Sequence, residues 1–321
     1  MGIKQNIPYI FVLLALSFLY EKFKIRQKHD DEAEHYKIVN TYLLNGVTLA
    51  NSKKPIIWIH VNYEINSRWW PTFGSRNTKC INKSYYSLTI KSIIDKCSND
   101  FNICLIDDNS FSKILPEWNV NLEKIANPIK KHMRLLGLAN ILYKFGGMLV
   151  PPSFICFDSL LNTYKDGLKH NKPFVGEFVN NSISADQYPL FPQPYLFGCI
   201  QGCKQMNNFI DILTVMNSTN FTQSDDFSGT IGSWLQSQLL NGNFNLICGS
   251  ILGTKTKTNK PVTIELLLNN TFFELYNNAK GLYLPENELT NRTKYQWFIN
   301  LSPEEVLKSE TMIGKYLLAS N

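Results

Sequence analysis

Ile-Leu-Tyr-Lys-Phe-Gly-Gly-Met-Leu-Val, at residues 141–150, is the stretch around which the rest of the chain is organised. Its first half is apolar at helical spacing. Gly146 and Gly147 then provide a stop, since helices often end at a glycine in a left-handed conformation. Residues 148–150 form an apolar run that predicts a short strand covered on both faces. Ligands bind at the carboxyl ends of such strands in α/β sheets, so the residues that follow are candidates for a site.

The helix that leads into this stretch is predicted to begin at Asn127 as its cap, with Pro128 in its first turn. Residues 135–145 are apolar nearly all round, which indicates burial. A basic cluster lies near the helix start and contains Lys130, Lys131, His132 and Arg134. Such a cluster could hold a diphosphate without metal, contact anionic lipid, or remain solvated.

Upstream of this helix, the sequence predicts the start of a βαβ arrangement. Residues 56–61 and 102–106 are apolar runs typical of buried strands, and residues 84–97 have helical spacing between them. His60 ends the first strand, where it could face a ligand or be structural. Asp107 and Asp108 follow the second strand, where they could contact a ligand or cap the next helix.

Downstream, the pattern is more mixed. A proline-rich loop that rims a pocket is predicted at residues 188–195, and an acidic cluster at residues 225–230 is expected to precede a helix. Strands are predicted at residues 174–178, 195–200, 244–252 and 262–268, with a turn at residues 255–260 between the last two. Helices are predicted at residues 207–216, at 231–240 and after Ser302.

The helix that ends in Leu-Tyr-Lys-Phe-Gly-Gly, followed by an apolar strand, resembles the core motif of sugar-transferases that carry an Asp-x-Asp motif. This group includes the capsular polysaccharide synthesis proteins. The resemblance covers approximately residues 54–160. It implies an α/β fold of the glycosyltransferase A-like, nucleotide-sugar-binding type. In the family, the acidic pair binds a divalent metal that holds a nucleotide-sugar diphosphate.

This chain keeps the frame of the motif and lacks its polar residues. Leu135 and Leu138 stand where the family has a helix Asp and an Arg, and Pro151 and Ser153 stand where it has Asp-x-Asp. A hard divalent cation prefers several anionic oxygens, which this loop does not supply. We therefore expect no cofactor, with Mn²⁺ or Mg²⁺ only if the degenerate site is active.

The resemblance implies a set of nucleotide-sugar-binding positions but identifies no catalytic residue. These positions are Asp107, Asp108, His132, Gly146, Gly147 and Ser153. Two hypotheses follow. In the first, the protein is a membrane-anchored, divergent glycosyltransferase-like protein without metal-dependent sugar transfer. In the second, it is a non-catalytic structural or scaffold membrane protein, such as a virion component, built on the same fold.

Composition limits the other classes of function. The chain has 321 residues and is 44% hydrophobic, which suffices for a packed core. The net charge of +6 is spread along the chain without an arginine-rich block, so we expect no nucleic-acid partner. Most of the seven cysteines have apolar neighbours, and none shows zinc-site spacing. Free thiols of this kind favour a reducing compartment.

The amino terminus predicts attachment to a membrane. Residues 7–20 carry no charge, and with snorkelling lysines the apolar segment extends over residues 7–25. A cleaved signal peptide and a helix docked on the domain are the alternatives. Residues 1–6 would be a short tail, 26–50 a helical connector and 51–321 the α/β domain. Basic residues crowd the carboxyl flank, so the positive-inside rule predicts a single-pass protein whose large domain is cytoplasmic.

Overall fold

The structure, a computed structural model, describes residues 54–62, 83–181, 185–219 and 224–320, without the side chains of residues 224–226. The predicted tail, anchor and connector at residues 1–50 lie outside the described residues. Among the described residues, no helix has the length and apolar character needed to cross a bilayer. The chain forms a mixed α/β structure around a central sheet, so the prediction of an α/β fold is confirmed.

The strands β1 to β8, numbered in chain order, are Ile56–His60, Asn102–Ile106, Gly147–Leu149, Phe154–Cys156, Phe174–Val179, Leu190–Cys199, Asn245–Ile247 and Gly281–Tyr283. The helices α1 to α12 are Tyr85–Cys97, Ser110–Ile114, Ile129–Phe145, Leu161–Gly167, Lys204–Ser218, Ser224–Leu240, Gly249–Leu252, Ile264–Leu268, Glu286–Asn291, Gln296–Ile299, Pro303–Lys308 and Met312–Ser320. Short 3₁₀ turns occupy Leu122–Lys124, Lys169–Asn171 and Thr293–Tyr295.

The central sheet has the strand order β2-β1-β3-β6-β5-β7, and β4 pairs with β8 in a separate two-stranded sheet. Strands β2, β1 and β3 are mutually parallel, β6 is antiparallel to both β3 and β5, and β7 is parallel to β5. The chain therefore passes from β1 to β2 on one side and then to β3 on the other side of β1. This reversal places a topological switch point between the carboxyl ends of β1 and β3.

Apolar clusters cover both faces of the central sheet, which explains why β1 is buried along its whole length. One cluster joins Ile57 and Ile59 to α1, β4 and α12, and the other joins Ile56 and Trp58 to α3, α5 and α6. The alternation along β1 follows from the two-residue repeat of a strand.

The junction between α3 and β3 is set by two glycines. Gly146 ends the helix with φ 71°, and Gly147 enters the strand with φ 96°. A β-carbon on Gly147 would lie 2.3 Å from the carbonyl oxygen of Ile56, so only glycine lets β3 approach β1 this closely. The indole N–H of Trp58 donates to the carbonyl oxygen of Gly146 at 3.0 Å and fixes the junction from the β1 side.

Several predicted elements in the second half of the chain are wrong. The predicted loop at residues 188–195 belongs largely to β6, which includes Pro192 and Pro194. Strand β3 pairs only with Phe197 to Cys199, so this edge of β6 is unpaired at the two prolines. Proline has no backbone N–H, and on an unpaired edge no hydrogen bond between strands is lost.

Two apolar runs predicted as strands are helical over much of their length. Residues 262–268 contain α8, and residues 244–252 contain β7 followed by α7. Ile264 and Leu267 are buried at a spacing of three residues, which a helix satisfies and an alternating strand does not. The expected hairpin between these runs is reduced to an isolated antiparallel bridge between Lys255 and Pro261.

Two predicted helix starts are also wrong. Helix α6 begins at Ser224, so the acidic cluster at residues 225–230 lies within the helix and not before it. Helix α3 begins at Ile129 after a cis Asn127–Pro128 bond, and no side chain caps it, so Asn127 is not its cap. The start after Ser302 is confirmed, because Ser302 and Glu305 form a reciprocal capping box.

Candidate functional site

A cavity of about 310 Å³ opens at the switch point between β1 and β3. Small-molecule sites usually measure about 300–1,000 Å³, so this volume suits a small ligand or part of a larger one. His60 and Asn62 line it at the end of β1, and Val150, Pro151 and Pro152 line it after β3. Helix α3 runs back along the sheet, and its amino-terminal half therefore reaches the same edge.

The floor of the cavity is apolar, and part of its wall is aromatic. Leu135 and Leu138 of α3 and Pro151 all line it, at positions where the resembled family would have polar side chains. Tyr195 of β6 and Tyr283 of β8 stack with their ring centroids 5.7 Å apart and their planes 12° apart. Such surfaces suit the flat face of a ring rather than a fully hydrated ion.

A largely buried ion pair ties the ends of β1 and β2 to α3. Arg134 donates to both carboxylate oxygens of Asp108, from Nε at 2.7 Å and from Nη2 at 2.6 Å. His60 Nε2 lies 3.1 Å from Asp108 Oδ1. An ionised carboxylate only accepts hydrogen bonds, so His60 carries its proton on Nε2. Burial raises the pKa of Asp108, but the hydrogen bonds from His60 and Arg134 and the charge of Arg134 outweigh it and hold that pKa well below its usual range.

His132 is a buried imidazole in the cavity wall, with 4% of its surface exposed. Its ring lies flat on that of Phe227 from α6, with centroids 3.5 Å apart and planes at 7°. No hydrogen-bond partner for the buried Nε2 exists among the described residues. A buried polar atom without a partner costs about 1–3 kcal/mol. Burial and the neighbouring charge of Lys131 lower the pKa of His132 to about 4, so the ring is neutral at pH 7.

Polar groups from α9 form the opposite wall. Glu286 is paired with Lys83, and Lys131 donates to the side-chain oxygen of Asn287 at 3.3 Å. Burial raises the pKa of Glu286, but the charge and hydrogen bond of Lys83 outweigh it, and the pKa is lowered. Among the described side chains, Glu286 is the sole carboxylate in the cavity lining.

The predicted site residues are only partly brought together. His132 lines the cavity, and Asp108 lies directly behind His60 and Arg134. Asp107 instead accepts the backbone N–H of Ser110, the first residue of α2, at 2.9 Å. Asp107 therefore supports the start of α2 from two residues before its N-cap, Asn109, whereas Asp108 forms an ion pair within the protein.

The other three predicted positions lie away from the cavity lining. Gly146 and Gly147 form the junction between α3 and β3, packed against backbone. Ser153 has no exposed surface, and its Oγ has no hydrogen-bond partner among the described residues. Its carbonyl oxygen accepts the N–H of Leu284 at 2.9 Å, which holds the loop against the end of β8.

The residues after β3 do not fit the divalent metal that the resemblance implies. Pro151 offers no side-chain ligand, and the hydroxyl of Ser153 is enclosed. Asp108 is committed to Arg134, and Glu286 to Lys83. In the part of the chain that the structure describes, no three His, Cys, Asp or Glu side chains are grouped closely enough to hold a metal ion. A hard cation would find too few anionic oxygens here.

The sequence alone did not identify Tyr283 or Glu286 as cavity residues. Tyr195 carries a sequence signal, because it belongs to the stretch predicted to rim a pocket, and it lines the cavity together with Gln193 and Pro194. Tyr283 and Glu286 carry none, since they reach the site through the pairing of β8 with β4, far along the chain. Arg134 was part of the basic cluster, but its pairing with Asp108 was not predicted.

No protein-family model matches the chain, and no curated protein is significantly similar to it. Two solved structures of the glycosyltransferase GlyE from Streptococcus pneumoniae TIGR4, one of them the apo form, are similar to it at 10% identity and a TM-score of 0.36. Each match covers 62% of this chain and 46% of the GlyE chain, so this chain spans less than half of that structure's length. A TM-score this low does not establish a common fold. The described residues form a mixed α/β protein with a cavity at its switch point.

Proposed function

We propose that this chain is a glycosyltransferase-like protein whose cavity binds a nucleotide-sugar donor without a divalent metal. The observation that carries the proposal is the position of the cavity at the switch point, beside the strand that follows the Gly146–Gly147 break. This is the edge of the sheet where α/β proteins bind nucleotides. It is also where the resembled sugar-transferases would hold their donor.

The positively charged side chains of the cavity lining support the binding of an anionic ligand without a metal ion. Lys131 and Arg134 enter the lining from α3, and Glu286 on the far wall is neutralised by Lys83. Arg134 is in turn paired with Asp108, which leaves Lys131 as the side chain whose charge is least compensated there among the described residues. The stacked Tyr195 and Tyr283 offer a surface for a sugar or base ring.

Donor binding is tested by thermal unfolding of the full chain with UDP- and GDP-sugars, in Mn²⁺ and in EDTA. At a donor concentration about 100 times Kd, binding adds about 2.7 kcal/mol, which raises Tm by about 5 °C. We expect the same rise in both conditions. A rise only with Mn²⁺ would contradict metal independence, and no rise with any donor would contradict donor binding.

A matched pair of variants localises the effect. Hydrogen bonds to charged groups contribute about 1.5–3 kcal/mol, so Lys131→Met is expected to weaken donor binding about tenfold or more. Lys308→Met removes the same charge from an exposed position on α11, outside the cavity, and is expected to leave Kd unchanged. Equal Kd values for the two variants would place the donor elsewhere.

The second candidate is a non-catalytic scaffold with the same fold. It is favoured by Glu286, since the one carboxylate found in the described lining is engaged with Lys83 and is not free to act as a base. Release of nucleoside diphosphate from a bound donor, measured over time with candidate acceptors, distinguishes the two. Binding without release supports a scaffold that retains the donor site.

We also propose that residues 7–25 anchor the protein in a membrane. The support is the uncharged segment at residues 7–20 with its flanking lysines. After expression in cells, we expect the full chain to stay in the membrane fraction after alkaline carbonate washing. A chain that lacks residues 1–28 should be released. Equal release of both forms would contradict the anchor.

A further inference from the structure

Two buried polar atoms of the cavity lining have no hydrogen-bond partner among the described residues, Nε2 of His132 and Oδ1 of Asn62, and of the two only His132 can carry a positive charge. His60 and Arg134 are engaged by Asp108, and Glu286 by Lys83. His132 is held by stacking on Phe227, yet its buried Nε2 has no partner within the described part of the chain. Buried polar atoms are usually paired, so a missing partner indicates a ligand.

The charged and titratable groups around His132 are mostly cationic or neutralised. Its own helix α3 contributes Lys131 and Arg134, and β1 contributes His60. Tyr195 and Tyr283 enter from β6 and β8, and Glu286 from α9, already paired. Helix α6 contributes Phe227 and Ser228, while the side chains of Asp225 and Asp226 lie outside the described ones. An anion entering this cavity therefore meets little negative charge from the described lining.

We propose that His132 is a proton-linked ligand contact, in which a phosphate oxygen of the donor accepts a hydrogen bond from the imidazole and the ring takes up a proton on binding. This inference rests on the proposed function and specifies its chemistry. In the free protein the pKa of His132 is about 4, because burial and Lys131 disfavour the charged ring. A phosphate within hydrogen-bonding distance favours the charged ring and raises that pKa.

The sign of the pH dependence follows from these two states. Because the pKa is higher in the complex than in the free protein, lowering the pH strengthens binding. The affinity for the donor begins to rise as the pH falls through the pKa of His132 in the complex. It stops rising near the pKa of His132 in the free protein. Between these limits the affinity changes by at most about tenfold per pH unit. Above the pKa of the complex, Kd is independent of pH.

The test uses UDP-glucose and GDP-mannose, because the diphosphate in each is a diester with no ionisation of its own between about pH 5 and pH 8. Calorimetry in two buffers of different ionisation enthalpy measures the protons taken up. Nitrogen NMR of the full chain follows the imidazole of His132 with and without donor. We expect net proton uptake, a lower Kd at lower pH and a raised pKa for His132 in the complex.

Two variants provide the matched control. His132→Phe keeps a flat ring against Phe227 but cannot be protonated, so its Kd should be weaker and independent of pH. His170→Asn removes an exposed histidine at a position with φ 62°, which asparagine tolerates, and should retain the wild-type pH profile. If His132→Phe does not fold, the wild-type calorimetry and NMR still decide the question.

The possible results distinguish the role of His132 from donor binding itself. Binding with no proton uptake and an unchanged pKa for His132 would overturn the proton-linked contact and leave donor binding intact. Binding of neither donor at any pH would overturn the proposed function, and the role of His132 with it.

Discussion

Replacing Gly147 with alanine is expected to lower the free energy of unfolding by about 4 kcal/mol. A left-handed conformation costs an L-residue about 1–2 kcal/mol, and forcing atoms into a packed site adds about 1–3 kcal/mol. Both apply here, since Gly147 has φ 96° and its added β-carbon would lie 2.3 Å from the carbonyl oxygen of Ile56. Equilibrium unfolding of the full chain in urea measures the loss.

Gly202 supplies the control for this substitution. It has φ 68°, and a β-carbon there would meet nothing within 4 Å. Gly202→Ala therefore carries the conformational cost alone, about 1–2 kcal/mol. If the two alanine variants were equally stable, the close approach of β3 to β1 at residue 147 would be contradicted.

Replacing Asp108 with alanine is expected to cost about 3 kcal/mol, because it removes the carboxylate that accepts two hydrogen bonds from the buried Arg134. The side chain of Arg134 is only 5% exposed and that of His60 7%, so water cannot easily replace the lost carboxylate. Asp107→Ala, which removes the acceptor for the backbone N–H of Ser110, should cost about 1 kcal/mol. Urea unfolding at neutral pH compares the two.

The same ion pair predicts sensitivity to acid. The pKa of Asp108 is lower in the folded protein than in the unfolded chain. The ion pair therefore contributes its full stabilisation at pH values above the pKa of the unfolded chain. That stabilisation is lost as the pH falls through the pKa of the folded protein. We expect the stability difference between wild type and Asp108→Ala to shrink in acid. A difference that stayed constant down to strongly acidic pH would show that Asp108 stabilises by packing alone.

The first half of the described domain could be predicted because local signals agreed. Strands β1 and β2 are apolar runs with clear limits, α1 has helical spacing, and the Gly146–Gly147 pair defines where α3 ends and β3 begins. Each of these elements is specified by its own residues. The sequence therefore gave their order and approximate limits without knowledge of the neighbours.

The second half depended on neighbours that the sequence does not reveal. Pro192 and Pro194 indicate a loop until it is known that β3 ends before reaching them and leaves β6 with an open edge. An apolar run such as residues 262–268 fits a helix or a strand equally well when considered alone. Only packing against the rest of the domain decides between them.

Of the cavity residues, the sequence predicted positions but not the contacts between residues that are far apart in the chain. His132 could be named from its place near the start of α3, and its incomplete hydrogen bonding could not. Asp108 was identified as polar and well placed, but its partner Arg134 lies 26 residues away. That pairing depends on the return of α3 to the sheet edge, which the sequence does not show, so neither alternative considered for the acidic pair included an ion pair with Arg134.

The enclosure of Ser153 limits how this chain could evolve. An aspartate introduced there would be buried beside the backbone of Leu284, where the loss of solvent disfavours its charged form. A second aspartate in place of Pro151 would not create a metal site, because both carboxylates must face the same cavity to coordinate one ion. A metal-binding carboxylate at residue 153 would therefore require the loop after β3 to move away from the end of β8.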